Sequence, residues 1–165
     1  MSRHAAWNIE VARSLLDGLQ GQPGAVLPML HALQAHFGHI HPEAVALVAA
    51  AANFSRAEIH GTISFYHDFR TAPPPARLIR LCRAEACQAV GCEALVEVAR
   101  TRLGLEIDAP QPGGEVAIET VYCLGNCALG PAALVDGELV AHLDAERLAA
   151  LCEGAPVAAV QALPA

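Results

Sequence analysis

Residues 71–77, TAPPPAR, place the firmest single constraint on this chain, because three consecutive prolines can continue neither a helix interior nor a central strand. The hydrophobic period differs on the two sides of this stiff connector. Upstream, Trp7, Val11, Leu15 and Leu19 recur at every fourth position, and Leu30, Leu33 and Phe37 mark a second helical stripe. Gly18, Gly21, Pro23 and Gly24 separate the two. Pro42 fits the first turn of a third helix, PEAVALVAAAA, and Ser55-Arg56-Ala57-Glu58 has the capping-box form that opens a fourth, expected to stop at Gly61. The aromatic-rich GTISFYHDFR then leads into the prolines. This reading gives a helical domain over residues 1–75 and a second domain over residues 76–165.

Downstream, RLIRLC alternates like a strand and CEALVEVARTRL has a helical period. VAIETVYC and AALVDGELVAHL return to period two, the latter as a hairpin around Asp136-Gly137, and Asp144 caps a final helix running through Cys152. Strand, helix, strand, hairpin, helix is an α/β layering of the thioredoxin-like type, here preceded by an N-terminal helical bundle.

A chain of 165 residues that is 54% hydrophobic buries a real core without staples. Its ten basic residues are all arginines, scattered singly against seventeen acidic ones for a net charge of -7, which excludes a nucleic-acid partner. The N-terminus lacks the apolar run of a signal peptide, and nowhere do about 18 uncharged apolar residues follow one another. The expected location is therefore cytoplasmic, without direct membrane insertion. In that reducing compartment six cysteines read as metal ligands, catalytic groups or small core residues rather than as a disulfide framework.

Cys82, Cys87 and Cys92 are spaced five residues apart. Cys92 shares the helical face of Leu95, Val96, Ala99 and Leu103 and is expected to pack in the core, as is Cys152, four residues after Leu148. The other four form loop pairs: Cys82 and Cys87 after the first strand, and Cys123 and Cys127, in YCLGNCALGP, after the second. Two strands of one sheet would bring both loops to one edge. Four thiolates there suit an iron-sulfur centre or zinc, although the plant-type ferredoxin spacing is absent, and unligated core cysteines are the remaining reading. A thiol-disulfide enzyme would need C-x-x-C at a helix start, which the chain lacks. No Ser-His-Asp set or glycine-rich nucleotide loop is evident, so no residue is assigned a catalytic role. His36, His39 and His41, in HFGHIH, are read as solvated or interface groups, and His60 and His67 as packing support for Phe65, Tyr66 and Phe69.

The ordered segments LPMLHALQAHFGHIHPEAV, GTISFYHDF, CRAEAC, YCLGNCALGP and DGELVAHLDAERL resemble the thioredoxin-like 2Fe-2S subunit family. That family includes the peripheral 2Fe-2S subunit of NADH:quinone oxidoreductase, small subunits of NAD-linked hydrogenases, and the gamma subunit of NAD-dependent, molybdenum-containing formate dehydrogenase. The resemblance implies that Cys82, Cys87, Cys123 and Cys127 ligate one 2Fe-2S cluster. Nearby backbone N–H groups of Gly125, Asn126 and Ala128 are then expected to stabilise its sulfurs. CRAEACQAVG and FYHDFR are most similar to the formate dehydrogenase gamma subunits. By that resemblance FMN, NAD, further iron-sulfur clusters and the molybdenum cofactor belong to partner subunits, one binding flavin and NAD and the other oxidising formate.

Overall fold

The computed structural model describes residues 4–109 and 112–162. The chain divides into two compact units, Met1–Pro74 and Pro75–Ala165.

The first unit holds four helices: α1 (Ile9–Asp17), α2 (Val26–Phe37), α3 (Pro42–Ala52) and α4 (Arg56–Phe65). Three of the four starts, those of α1, α3 and α4, have a side-chain cap. The Asn8 side chain accepts from the N–H groups of Glu10 and Val11 at 2.9 and 3.1 Å, His41 caps α3 ahead of Pro42, and Ser55 and Glu58 close a full capping box on α4. Met29, Leu30, Leu33, Phe37, Val48 and Ile59 form the centre of this unit's core. The stripe on α1 is rotated from the expected one: Ala12 and Leu16 are buried, whereas Val11 is 37% exposed. The small Ala12 side chain suits the seam that α1 shares with α2 and α3. Trp7 precedes the helix, donates to Glu43 at 2.9 Å and stacks on His41 at 4.4 Å.

Helix α4 does not stop at Gly61. It runs to Phe65 because Ile59 and Ile63, one turn apart across the glycine, are both buried, and an interior glycine costs only about 1 kcal/mol relative to alanine. Helix α2 does end on a glycine. Gly38 has φ +78°, and a Cβ there would sit 2.6 Å from the His4 ring and 2.9 Å from Pro74. Gln34 ties the following segment down, donating to the Asp68 carbonyl and accepting from the Arg70 N–H, both at 2.7 Å. Phe69 is thereby buried, whereas Phe65, Tyr66, His60 and His67 are exposed, so the two histidines do not support packing as expected.

The second unit is a four-stranded sheet with helices: β1 (Arg77–Cys82), α5 (Glu85–Ala89), α6 (Cys92–Thr101), β2 (Val116–Val121), β3 (Ala133–Val135), β4 (Glu138–Val140), α7 (Ala145–Cys152) and α8 (Val157–Gln161). Its strand order is β2-β1-β3-β4, with β1 parallel to β2 and the other pairings antiparallel. This is the α/β arrangement of thioredoxin-like type read from the sequence. The β3–β4 turn has φ +54° at Asp136 and +96° at Gly137, the two positive values a type I′ hairpin needs. Asp136 also exchanges hydrogen bonds with the Leu78 backbone in β1, at 2.9 and 3.0 Å, which fixes the hairpin's register. Ile79, Leu81, Ile118, Val135, Val140, Leu148 and Leu151 fill the core. Asp144 caps α7 by accepting from the Arg147 N–H, and the buried Arg147 guanidinium donates to the His142 carbonyl. No helix among the described residues is long and apolar enough to cross a membrane.

Candidate metal centre

In the parallel pair β1–β2, Cys82 lies opposite Val121, so both strands deliver their following segments to the same edge of the sheet. The Arg83 N–H donates to the Val121 carbonyl at 2.9 Å and continues the pairing one step beyond the strand. Cys82 closes β1, and Cys123 follows two residues after β2. Cys87 and Cys127 are not in loops as expected. Cys87 sits in the short helix α5, whose Gln88 side chain reaches back to the Arg83 carbonyl at 3.0 Å, and Cys127 opens a single 3₁₀ turn, Cys127–Leu129.

Burial separates the two pairs. Cys82 and Cys87 are 3% and 2% exposed, whereas Cys123 and Cys127 lie open at the surface with their sulfurs 3.9 Å apart. Gly130 lets the pairs approach, since a Cβ there would stand 3.3 Å from the Cys87 sulfur and 3.1 Å from Val90. Two left-handed residues coil the second segment, Cys123 at φ +72° and Gly125 at φ +76°, so that the Gly125 N–H reaches the Cys123 sulfur at 3.4 Å. All six cysteines are free thiols. The four stand as two pairs: among the described residues no three His, Cys, Asp or Glu side chains converge as a single ion requires.

The electrostatics follow from this packing. Burial pushes the Cys82 thiol up, but donors at Ala84, Cys87, Cys123 and Leu124 outweigh it and hold the group below an ordinary thiol. Cys87 is raised, first by burial and then by donating to Cys82, with the Ala132 N–H opposing. Cys127 is raised because its thiol donates to Cys123. Backbone N–H groups thus favour the thiolate at three of the sulfurs: Ala84, Cys123 and Leu124 at Cys82, Ala132 at Cys87, and Gly125 at Cys123. Of the donors expected from the sequence, Gly125 takes that part.

Cys92 is fully buried, but beside Cys82 and Cys87, with Ala84, Val121 and Leu124 around them, rather than among Leu95 and Ala99 as expected. Gly91, at φ +94°, turns the chain between α5 and α6 and thereby returns Cys92 toward the strand end. Burial raises its thiol to about 11, and burial raises Cys152 to about 11 as well, so both are protonated and inert at neutral pH. Glu93 grips Arg83 through two hydrogen bonds of 2.9 Å, joining the residue after Cys82 to the first turn of α6. Sequence reasoning missed this tie and the Ala84 and Ala132 donors, because each joins residues whose proximity only the tertiary fold creates.

Whether these residues suit a sulfur-ligated iron pair can be tested on the chain itself. Its donor set is four thiols, three of them with backbone N–H groups toward the sulfur, which suits anionic thiolates. Asn126, between Cys123 and Cys127, adds a second sign: its Nδ2 is shut off from solvent and has no hydrogen-bond partner. A buried donor left this way costs about 1–3 kcal/mol unless something arrives to accept from it.

The sequence model of the thioredoxin-like 2Fe-2S ferredoxin family matches residues 12–160. The chain belongs to that family. It is accordingly a 2Fe-2S electron-transfer protein. It is 31% identical over 125 residues to the NADP-reducing hydrogenase subunit HndA of Solidesulfovibrio fructosivorans, a match covering 76% of this chain and 72% of that one. It is 33% identical over 129 residues to an NADH-quinone oxidoreductase subunit of Rhizobium meliloti (strain 1021), covering 78% and 77%. Among solved structures, the air-oxidised NAD+-reducing NiFe hydrogenase superposes with a TM-score of 0.67 at 27% identity, over 78% of this chain. This chain spans only 22% of that hydrogenase chain's length.

Proposed function

We propose that Cys82, Cys87, Cys123 and Cys127 ligate one 2Fe-2S cluster, and that the protein is the electron-transfer subunit of a cytoplasmic NAD-dependent formate dehydrogenase complex. The ligand assignment is supported by one observation above all: two cysteine pairs stand at one sheet edge, with backbone N–H groups toward the sulfurs of Cys82, Cys87 and Cys123. When bound, such a cluster gains and loses one electron at a time. The chain's own residues supply the rest. The four thiols give up their protons on binding, the N–H donors stabilise the charge that remains, and Ala84, Cys92 and Leu124 keep water from the Cys82 and Cys87 side. Residues 76–165 form the cluster-bearing domain, and the helical residues 1–75 serve docking. By the family resemblance, FMN, NAD, further iron-sulfur clusters and molybdenum belong to partner subunits.

The formate assignment rests on the likeness of CRAEACQAVG and FYHDFR to formate dehydrogenase gamma subunits. A second reading, a subunit of an NADH:quinone oxidoreductase or a pyridine-nucleotide-linked hydrogenase, is favoured by the relatives described above. Purification of the native complex from its host separates them. The formate reading expects a soluble assembly containing molybdenum that reduces NAD with formate. A membrane-bound, molybdenum-free complex reducing quinone with NADH would overturn it and leave the cluster assignment standing. Zinc in place of two irons per chain would overturn the cluster assignment itself.

A further inference from the structure

The Asn126 side chain has no stated task in the protein without its cluster. Its Nδ2 is buried with no partner, in the four-residue step between Cys123 and Cys127, the more exposed of the two cysteine pairs. Its backbone carbonyl is already occupied, since it accepts from the Leu129 N–H at 3.1 Å and so closes the 3₁₀ turn. A side-chain amide carries two N–H donors, and burying them without an acceptor is unfavourable in any folded chain. The ligand set of this segment would bring the missing acceptors, because thiolate and sulfide sulfurs are anionic and arrive only with the iron.

We infer that the Asn126 amide is a positioning and tuning residue of the centre, donating a hydrogen bond to one of its sulfurs and thereby raising its reduction potential. This rests on the ligand assignment proposed above. The direction follows from charge. Reduction adds one negative charge to a site that is already anionic, and a fixed donor stabilises the more negative state more strongly. Loss of the donor therefore makes the centre harder to reduce, by about tenfold in the one-electron equilibrium, which is about 59 mV to the negative. Because the donor is unsatisfied before the cluster binds, its removal leaves the cluster-free chain no less stable.

The test uses the full-length chain loaded with iron and sulfide, read by redox titration and pulsed EPR. Asn126→Ala is expected to keep two irons per chain and to shift the potential negative, and Asn126→Asp to shift it further, since an acceptor carrying charge replaces the donor. In wild type labelled at the asparagine side-chain nitrogen, the reduced centre is expected to show a nitrogen coupling. The chain has only three asparagines, and the other two, Asn8 and Asn53, cap helices of the first unit. Unchanged potentials in both variants, or no coupling in labelled wild type that holds its iron, overturn the inference. If the variants cannot hold iron, the labelled wild type alone decides. A wild type that takes up no iron-sulfur cluster instead overturns the ligand assignment.

Discussion

Segment 82–92 and segment 123–130 each supply two of the proposed ligands, yet they are built by different means. The first is held by burial. Cys82, Cys87 and Cys92 pack on one another under Ala84, Val121 and Leu124, with Gln88 tied to Arg83 and Arg83 to Glu93. The second is held by backbone conformation: its cysteines are exposed, and left-handed residues at 123 and 125 shape the coil. One half of the proposed centre is therefore specified by side-chain packing and the other by dihedral angles. Substitutions should reveal the difference even where the two halves share the same chemistry.

Serine at any of Cys82, Cys87, Cys123 or Cys127 is expected to abolish or strongly perturb the 2Fe-2S EPR signal, the largest effect available. The asymmetry lies in the chain without its cluster. There Cys82→Ser and Cys87→Ser bury a hydroxyl and cost about 1–3 kcal/mol, whereas Cys123→Ser and Cys127→Ser stay within about 0.5 kcal/mol. Denaturant unfolding of the four cluster-free variants checks this. Equal losses on both sides would break the comparison, and a normal EPR signal in Cys123→Ser would break the ligand set.

Substitution at Gly125 probes the second segment in its own terms. At φ +76° an alanine is strained although a Cβ there meets nothing, so Gly125→Ala should cost about 1 kcal/mol through the backbone alone. It should also speed loss of iron to a chelator, because the N–H that reaches the Cys123 sulfur moves with the turn. Gly91→Ala, also left-handed at φ +94°, should cost a similar amount while displacing Cys92 rather than a proposed ligand. If both variants released iron at the same raised rate, the distinction between the two segments would fall.

The sequence placed the two cysteine pairs better than it placed their surroundings, for a physical reason. C-x4-C and C-x3-C follow two recognisable strand patterns, and the strands RLIRLC and VAIETV form as expected, so their ends and the cysteines beyond them could be placed. Helix α5 could not be read because five residues span little more than one turn, too few for a period to show. Cys92 carried an inward-facing signal that was correct about burial. Which core it enters depends on the left-handed Gly91, a conformation that hydrophobic spacing does not encode. Gly61 misled in the opposite way, since a glycine signals a helix stop only when nothing beyond it is buried on the same face, and Ile63 is.

Cys92 tests whether burial near the proposed ligands amounts to a role in ligation. Cys92→Ala removes one buried sulfur and should cost about 1 kcal/mol, with the EPR signal retained. A lost signal in a chain that still unfolds cooperatively would make Cys92 part of the centre rather than part of its wall.

The smallest expected effect belongs to the tie between Arg83 and Glu93. The pair is partly exposed, with side chains 28% and 49% accessible, so its contribution is screened and falls with added salt. The Arg83 hydrogen bonds hold the Glu93 carboxyl below the ordinary glutamate range. A carboxyl depressed in the folded state stabilises it above the unfolded value, about 4.3, and the contribution disappears as pH falls through the lower folded value. Cluster-free wild type should therefore be slightly more stable than Glu93→Gln near neutral pH, with the two curves converging in acid. In the loaded protein the same variant should release iron faster, because Arg83 also anchors the turn between Cys82 and Cys87 through its carbonyl. A stability difference independent of pH would mean that Glu93 acts by packing. Then the first segment would owe its shape to burial alone, and the contrast with the dihedral-built second segment would be sharper still.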